Sequence, residues 1–189
     1  MKDLNVTMQN TMKPEYIEQN EIPDIDLYVD QIITLLDGRL GQNKRNQEDK
    51  VITKTMVNNY SKDGLLKRIK GKKYSKEHIM MILLICGLKR GMAVQDIARV
   101  FAGLEGNLSN AEGEYSPEAV SALYAGWGEV GAQVAGSLPE FIGNTVNQLG
   151  LAGGKDDPLP AILVLTEIAA QCSRAAEALI DESFPEKKK

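Results

Sequence analysis

Residues 53–74 read T-K-T-M-V-N-N-Y-S-K-D-G-L-L-K-R-I-K-G-K-K-Y. These side chains suit holding an anion rather than breaking a bond. Lys54, Lys62, Arg68, Lys70, Lys72 and Lys73 can neutralise phosphates. Asn58 and Asn59 can pair with base edges, and Thr55 stands on the same outward side. Tyr60 offers either a phosphate hydrogen bond or a core ring with a polar tip. A short helix must carry the first part. Thr53 is its N-cap, Met56, Val57 and Tyr60 point inward at helical spacing, and Gly64 supplies the left-handed stop. Leu65, Leu66 and Ile69 then give apolar contacts, and Lys70-Gly71-Lys72 is the turn of a basic two-stranded wing closed by Tyr74 and Ser75.

The charge along the chain is uneven. Residues 44–102 hold 14 Lys/Arg against 5 Asp/Glu, a net of +9. Residues 1–43 carry −5, residues 103–186 carry −11, and three terminal lysines add +3, which gives the overall −4. A basic run can be a mere solvated face. The concentration of cations in the middle third favours a polyanion surface, since counterion release depends on the local patch and not on net charge.

Three words of sequence carry a resemblance: T-x-x-x-V-N-N-Y-S-K-D-G-L-L, K-K-Y-S-K-E-H-I and L-K-R-G-M-A-V-Q-D-I-A-R-V-F. Together they resemble the DNA-binding domain of MerR-type regulators, over about a quarter of the chain. The resemblance implies a mainly all-α protein with a winged helix-turn-helix, a small two-stranded wing and a helical C-terminal region. It implies double-stranded DNA as partner, with Lys54, Thr55, Asn58, Asn59, Tyr60 and Lys62 on the recognition helix and Arg68, Lys70, Lys72 and Lys73 on the wing. Asn58 and Asn59 stand where that family commonly has Arg-Tyr. Residues 42–50 replace what is a short turn there. The words I-P-D-I-D-L-Y-V-D-Q and K-R-N-x-E-D-K-x-x-T-K-T-M-x-N-N-Y resemble a second, wider group, the uncharacterised bacterial YkrK-like domain-of-unknown-function proteins, over about residues 22–180.

At 189 residues with 43% hydrophobic content, the chain can bury a real core as one domain or two small ones. Only 5% is aromatic, which argues against a single-strand binder built on stacking platforms. Cys86 and Cys172 lack C-x-x-C spacing and sit among apolar residues, as reduced core thiols of a cytoplasmic protein would. The longest apolar run, residues 79–86, is far short of the roughly 20 residues of a membrane span. His78 is the only histidine, and no second ligand stands near it in sequence. No metal, cofactor or catalytic residue is expected.

Composition and periodicity predict five segments. Residues 1–21 are polar and read as flexible. Residues 22–102 form the helix-turn-helix unit, opening near Pro23 and Asp24 or Asp26 with a stripe of Val29, Ile32, Ile33, Leu36 and Leu40. Lys44, Arg45 and Lys50 in the next loop could reach a backbone or be solvated. Residues 103–116 read as a linker. Residues 117–182 are helical, with a start at Ser116-Pro117-Glu118, a second start at Pro139 and a turn at 150–157. Residues 183–189 form a tail. Gly126, Gly128 and Gly131 weaken the first of these helices unless close packing, or a pocket for a small-molecule effector, explains them. In the last helix Ile162, Leu165, Ala169, Cys172, Ala176 and Leu179 alternate spacings of three and four. That is a heptad seam, suited to a homodimer or to an intrachain bundle. The function expected is a dimeric DNA-binding regulator. The alternative is a protein-interaction module that keeps the fold without DNA.

Overall fold

Eight consecutive apolar residues, 79–86, leave one helix without a polar face. Such a helix is stable only when surrounded. In the computed structural model, which describes residues 4–12, 16–41, 44, 46, 48–149 and 157–185, all eight are buried at the centre of the main core. The element order is α1 (Leu4–Thr11), a 3-10 turn (Gln19–Glu21), β1 (Leu27–Tyr28), α2 (Val29–Leu40), α3 (Lys54–Lys62), β2 (Lys73–Tyr74), α4 (Lys76–Leu88), α5 (Val94–Leu104), α6 (Pro117–Leu149) and α7 (Leu159–Ser183). The protein is mainly helical. No helix among the described residues is long and apolar enough to cross a membrane.

Local signals place α2 and α3. The stripe predicted on α2 packs inward through Ile32, Leu36 and Leu40, although the helix opens at Val29, after a short strand, and not at Pro23. The Tyr28 amide donates to Gln31 Oε1 at 2.9 Å across this opening. Thr53 caps α3 by accepting the Met56 amide at 3.2 Å, and Gly64 ends it at φ +76°. Val57 and Tyr60 are the buried side.

The predicted wing is not a hairpin of its own. Gly71 does turn at φ +70°, yet β2 pairs antiparallel with β1, Leu27 opposite Tyr74 and Tyr28 opposite Lys73. The residues before the turn have other commitments. Leu65 and Leu66 are buried, and both of their amides donate to the Tyr60 carbonyl. They cannot also extend as a strand.

Residues 103–116 are not a linker either. Leu104 still belongs to α5, and Leu108 and Tyr115 sit in the main core. A bridge pairs Ser109 with Tyr115, and Asn110 Oδ1 accepts the amides of Glu112 and Glu114. The polar composition serves a tight turn, with Gly113 at φ +76°.

The polar N-terminal stretch is also tied down. α1 packs on α6, and Met8 joins Ile142 and Val164 in a second, smaller core. Ile17 is fully buried, and its carbonyl accepts the Tyr124 hydroxyl at 2.7 Å. Gln19 exchanges two hydrogen bonds with Ser121, at 2.8 and 2.6 Å.

α6 is one helix of 33 residues that runs through Pro139. Proline removes one ladder bond, but Ile142 and Val146 beyond it pack in the second core and hold the helical course. Aromatic packing accounts for key glycines. The Trp127 ring lies where a Gly87 Cβ would sit, at 2.2 Å, and Tyr16 crowds Gly128 at 2.7 Å. α7 packs on α6 and reaches back to α5, where Phe184 covers Gly103 and Arg99 bridges Asp96 at 3.1 Å and Asp181 at 2.9 Å. Cys86 is buried as predicted, whereas Cys172 is exposed, and both are free thiols. Arg45, the expected turn around Gly153, Gly154 and Lys155, and the last lysines lie outside the described residues.

Candidate nucleic-acid interface

The buried side of α3 fixes what its other side presents. At about 100° per residue, positions 54, 55, 58, 59 and 62 fall within an arc of about 140° opposite Val57 and Tyr60. Lys54, Thr55, Asn58, Asn59 and Lys62 are all exposed. The arc therefore carries two ammonium groups, two amides and a hydroxyl, a set that can meet phosphates and base edges together. Tyr60 leaves the set. It is 5% exposed, and burial pushes its phenol up to about 12, so the core alternative describes it.

The basic stretch that follows divides into committed and open cations. Arg68, Lys62 and Lys72 are exposed and form no ion pair among the described residues. Lys73 lies over the Tyr28 ring, 5.2 Å from its centroid. Lys54 is 3.8 Å from Asp30, and Lys70 is 2.5 Å from Glu114. Exposed pairs of this kind are weak, being screened by solvent, and can be exchanged for phosphates. In the loop before α3, Lys44 is held by Asp37 at 2.9 Å, while Lys50 is exposed.

Lys67 behaves differently and was not among the expected contacts. Its amide donates to the Tyr115 hydroxyl at 3.1 Å. Its ammonium donates to Ser109 Oγ at 2.7 Å and the Gly113 carbonyl at 2.8 Å, and stands 5.6 Å from the centre of the Tyr115 ring. Both segments line a cleft of about 830 Å³, with Leu66, Met81 and Phe101 in its apolar lining. No sequence signal links residue 67 to residues 109–115, because the pairing is long-range and its members are common surface types.

Three groups at the start of α4 resemble catalytic types but are not arranged as a triad, and the Ser75 hydroxyl, at the N-cap position, accepts no backbone amide. The Ser75 hydroxyl donates to Glu77 at 2.6 Å and lies 2.9 Å from His78 Nδ1. A nucleophilic triad needs the carboxylate on the histidine, orienting it. Here the carboxylate holds the serine instead. His78 Nε2 is buried, with no hydrogen-bond partner in bonding geometry among the described residues. The ring meets Tyr74 and Tyr115 edgewise, with centroids at 5.9 and 4.9 Å.

Burial lowers the His78 pKa, against the opposing pull of the Lys67 and Arg68 carbonyls, Glu77 and Asp26. The unfolded chain then takes up a proton near pH 6.5 while the folded chain stays neutral. Stability from this residue should be full above about pH 6.5 and fall as pH drops through the depressed folded value. Urea unfolding at pH 7.5, 6.0 and 5.0 should show that loss in the wild type and a smaller one in His78→Gln. Parallel losses would remove His78 as the cause.

Among known families, residues 17–126 match the family described as Domain of unknown function (DUF1836), more than half of the chain. No curated protein and no solved structure matches it. The matched span has a physical counterpart. Every buried residue of the main core lies between Ile17 and Tyr124, and the second core of Met8, Ile142 and Val164 lies wholly outside the span.

Proposed function

The chain belongs to the DUF1836 family, and since that membership carries no activity, we propose from the chain's own surface that it is a dimeric, DNA-binding regulator of the cytoplasm. The observation that carries the reading is the exposed arc of Lys54, Thr55, Asn58, Asn59 and Lys62 on a capped helix, continued by Arg68, Lys70, Lys72 and Lys73. α3 enters the major groove as a MerR-like recognition helix, with the asparagines at base edges. The 68–73 segment takes the wing's place on the flanking phosphates. The net of −11 over residues 103–186 is repelled by DNA and orients the molecule.

The test is fluorescence anisotropy with a duplex from upstream of the protein's own gene, against a scrambled duplex, at two salt concentrations. Tight, salt-sensitive binding with preference for the native duplex is expected. Equal and weak binding to both would favour an interaction module on the same fold.

Dimerisation draws support from an exposed apolar face. Val130, Val134 and Phe141 on α6 and Ile162, Leu163 and Leu179 on α7 are each at least half exposed. The seam on α7 also reads the same in both directions, with spacings of three, four, three, four and three. Two antiparallel copies then place Ile162 opposite Leu179, Leu165 opposite Ala176 and Ala169 opposite Cys172. The small central pair allows close approach. Cysteines bridge only when their Cα atoms come within about 7 Å. Mild oxidation should therefore cross-link Ala169→Cys/Cys172→Ala chains to wild-type chains in a mixture, and neither chain to itself. Wild-type chains joining through Cys172 alone would mean parallel pairing, and a monomer in sedimentation would rule the seam out.

A further inference from the structure

The basic segment and the loop before α6 are opposite in charge and fastened together. The segment 67–73 carries Lys67, Arg68, Lys70, Lys72 and Lys73 with no acid, and the loop 105–115 carries Glu105, Glu112 and Glu114 with no base. The fastening and the ion pair are separate devices. Lys67 is the fastener, and all its partners in the loop are neutral: a hydroxyl, a carbonyl and a ring. Tyr115 anchors the loop in the core. Asn110 shapes it by accepting the Glu112 and Glu114 amides at 3.1 and 2.9 Å, and its own amide donates to the Glu114 carbonyl at 2.9 Å. Glu114 is thereby presented to Lys70 at 2.5 Å without having to hold the loop in place.

We propose that Glu114 is a built-in stand-in for a DNA phosphate, which withholds Lys70 until a duplex displaces it. This rests on the DNA-binding reading above and adds a regulatory contact to the same surface. The carboxylate matches a phosphate oxygen in charge and in hydrogen-bond acceptance, and it satisfies the cation in the free protein. Binding then exchanges one anion for another at Lys70, so that contact adds little net affinity. Contacts from the α3 arc to base edges face no such competitor. The strap lowers the affinity that comes from the backbone on every duplex alike and leaves base readout intact. The pair is exposed, with side-chain accessibilities of 86% and 48%, so an incoming phosphate can reach it.

The experiment is anisotropy on the full-length protein with the upstream duplex and its scrambled counterpart, between 50 and 200 mM salt. Glu114→Gln keeps the shape of the loop and removes the charge. It should tighten binding to both duplexes, by up to about fivefold at low salt, which is the most an exposed pair usually contributes. It should steepen the salt dependence by about 0.9 in log–log slope, the mark of one added phosphate contact. In a Lys70→Ala background the same change should do much less. Glu112→Gln, which acts on Lys70 only through space, should have a smaller effect than Glu114→Gln. Thermal melts of each variant check that the fold is kept. Wild type that binds with preference but equals Glu114→Gln in affinity and slope would overturn the strap alone. Failure of both proteins to bind either duplex at low salt would overturn the DNA-binding reading and the strap with it.

Discussion

Replacing Gly87 with alanine should cost about 1–3 kcal/mol of unfolding free energy, the range for forcing atoms into a packed interior. The added methyl would meet the Trp127 ring at 2.2 Å, closer than any real contact, with two further ring atoms at 2.9 and 3.1 Å. Trp127 cannot swing aside freely, because its ring also packs near Tyr16 and Tyr124, each with centroids at 5.8 Å. The strain falls between α4 and α6, the two helices that close the main core. Gly126→Ala is the control, next to Trp127 on α6 with nothing within 4 Å of its new methyl. It should gain up to about 1 kcal/mol from helix propensity. The two glycines thus have opposite predicted signs. Trp127→Leu should recover part of the Gly87→Ala loss, as contacting residues couple by about 0.5–3 kcal/mol. Urea denaturation of the four proteins reads all of this. Equal responses at Gly87 and Gly126 would show that the ring yields and that the close approach does not matter.

The second large effect is on binding. Lys72 and Lys73 follow the Gly71 turn, both exposed, with Lys73 over the Tyr28 ring. Replacing both with alanine should weaken binding to every duplex, about tenfold or more at low salt, and flatten the log–log salt slope by about 1.8. Asn58→Ala should behave otherwise. Its loss should cost about 1–3 kcal/mol on the preferred duplex, little on a scrambled one, and leave the salt slope unchanged. The contrast separates backbone from base contacts on one surface. If both changes leave binding as it was, α3 does not dock as proposed, whatever the affinity of the wild type.

Local chemistry made part of this molecule readable from sequence. Thr53 and Gly64 bounded α3 because a cap hydroxyl and a left-handed glycine act within one turn of chain. In the sequence reading the eight-residue apolar run counts only as too short for a membrane span, although its lack of a polar face is the local signal that α4 is central. What failed depended on distant partners. The stretch with Gly113 and Asn110 has the composition of a linker, and nothing nearby announces that Tyr115 will be buried or that Lys67 will fasten to it. The strand at residues 73–74 was expected to pair with its own neighbours, yet its partner is at 27–28. Tyr60 could face either way by type, and only the packing of Val57 beside it decided. The same holds for Cys172, apolar in its sequence neighbourhood but on the open side of α7. The exposed side of α3 was legible, and the ion pair of Lys70 with Glu114 was not.

The bond from the Tyr124 hydroxyl to the Ile17 carbonyl spans 107 residues, and the Gln19–Ser121 pair spans 102. As the ribosome releases this chain, α2, α3 and α4 emerge well before residues 115–124 can close over them. The Ile17 carbonyl and the Gln19 side chain meet these partners only then, and the Lys67 hydrogen bonds to residues 109–115 wait for partners 42 to 48 positions later. Loops of that length cost entropy that only the finished core returns. The order of synthesis therefore sets a delay. The basic surface is exposed on a nascent chain before the structure that shapes it exists, and folding is completed from the C-terminal side of the family unit.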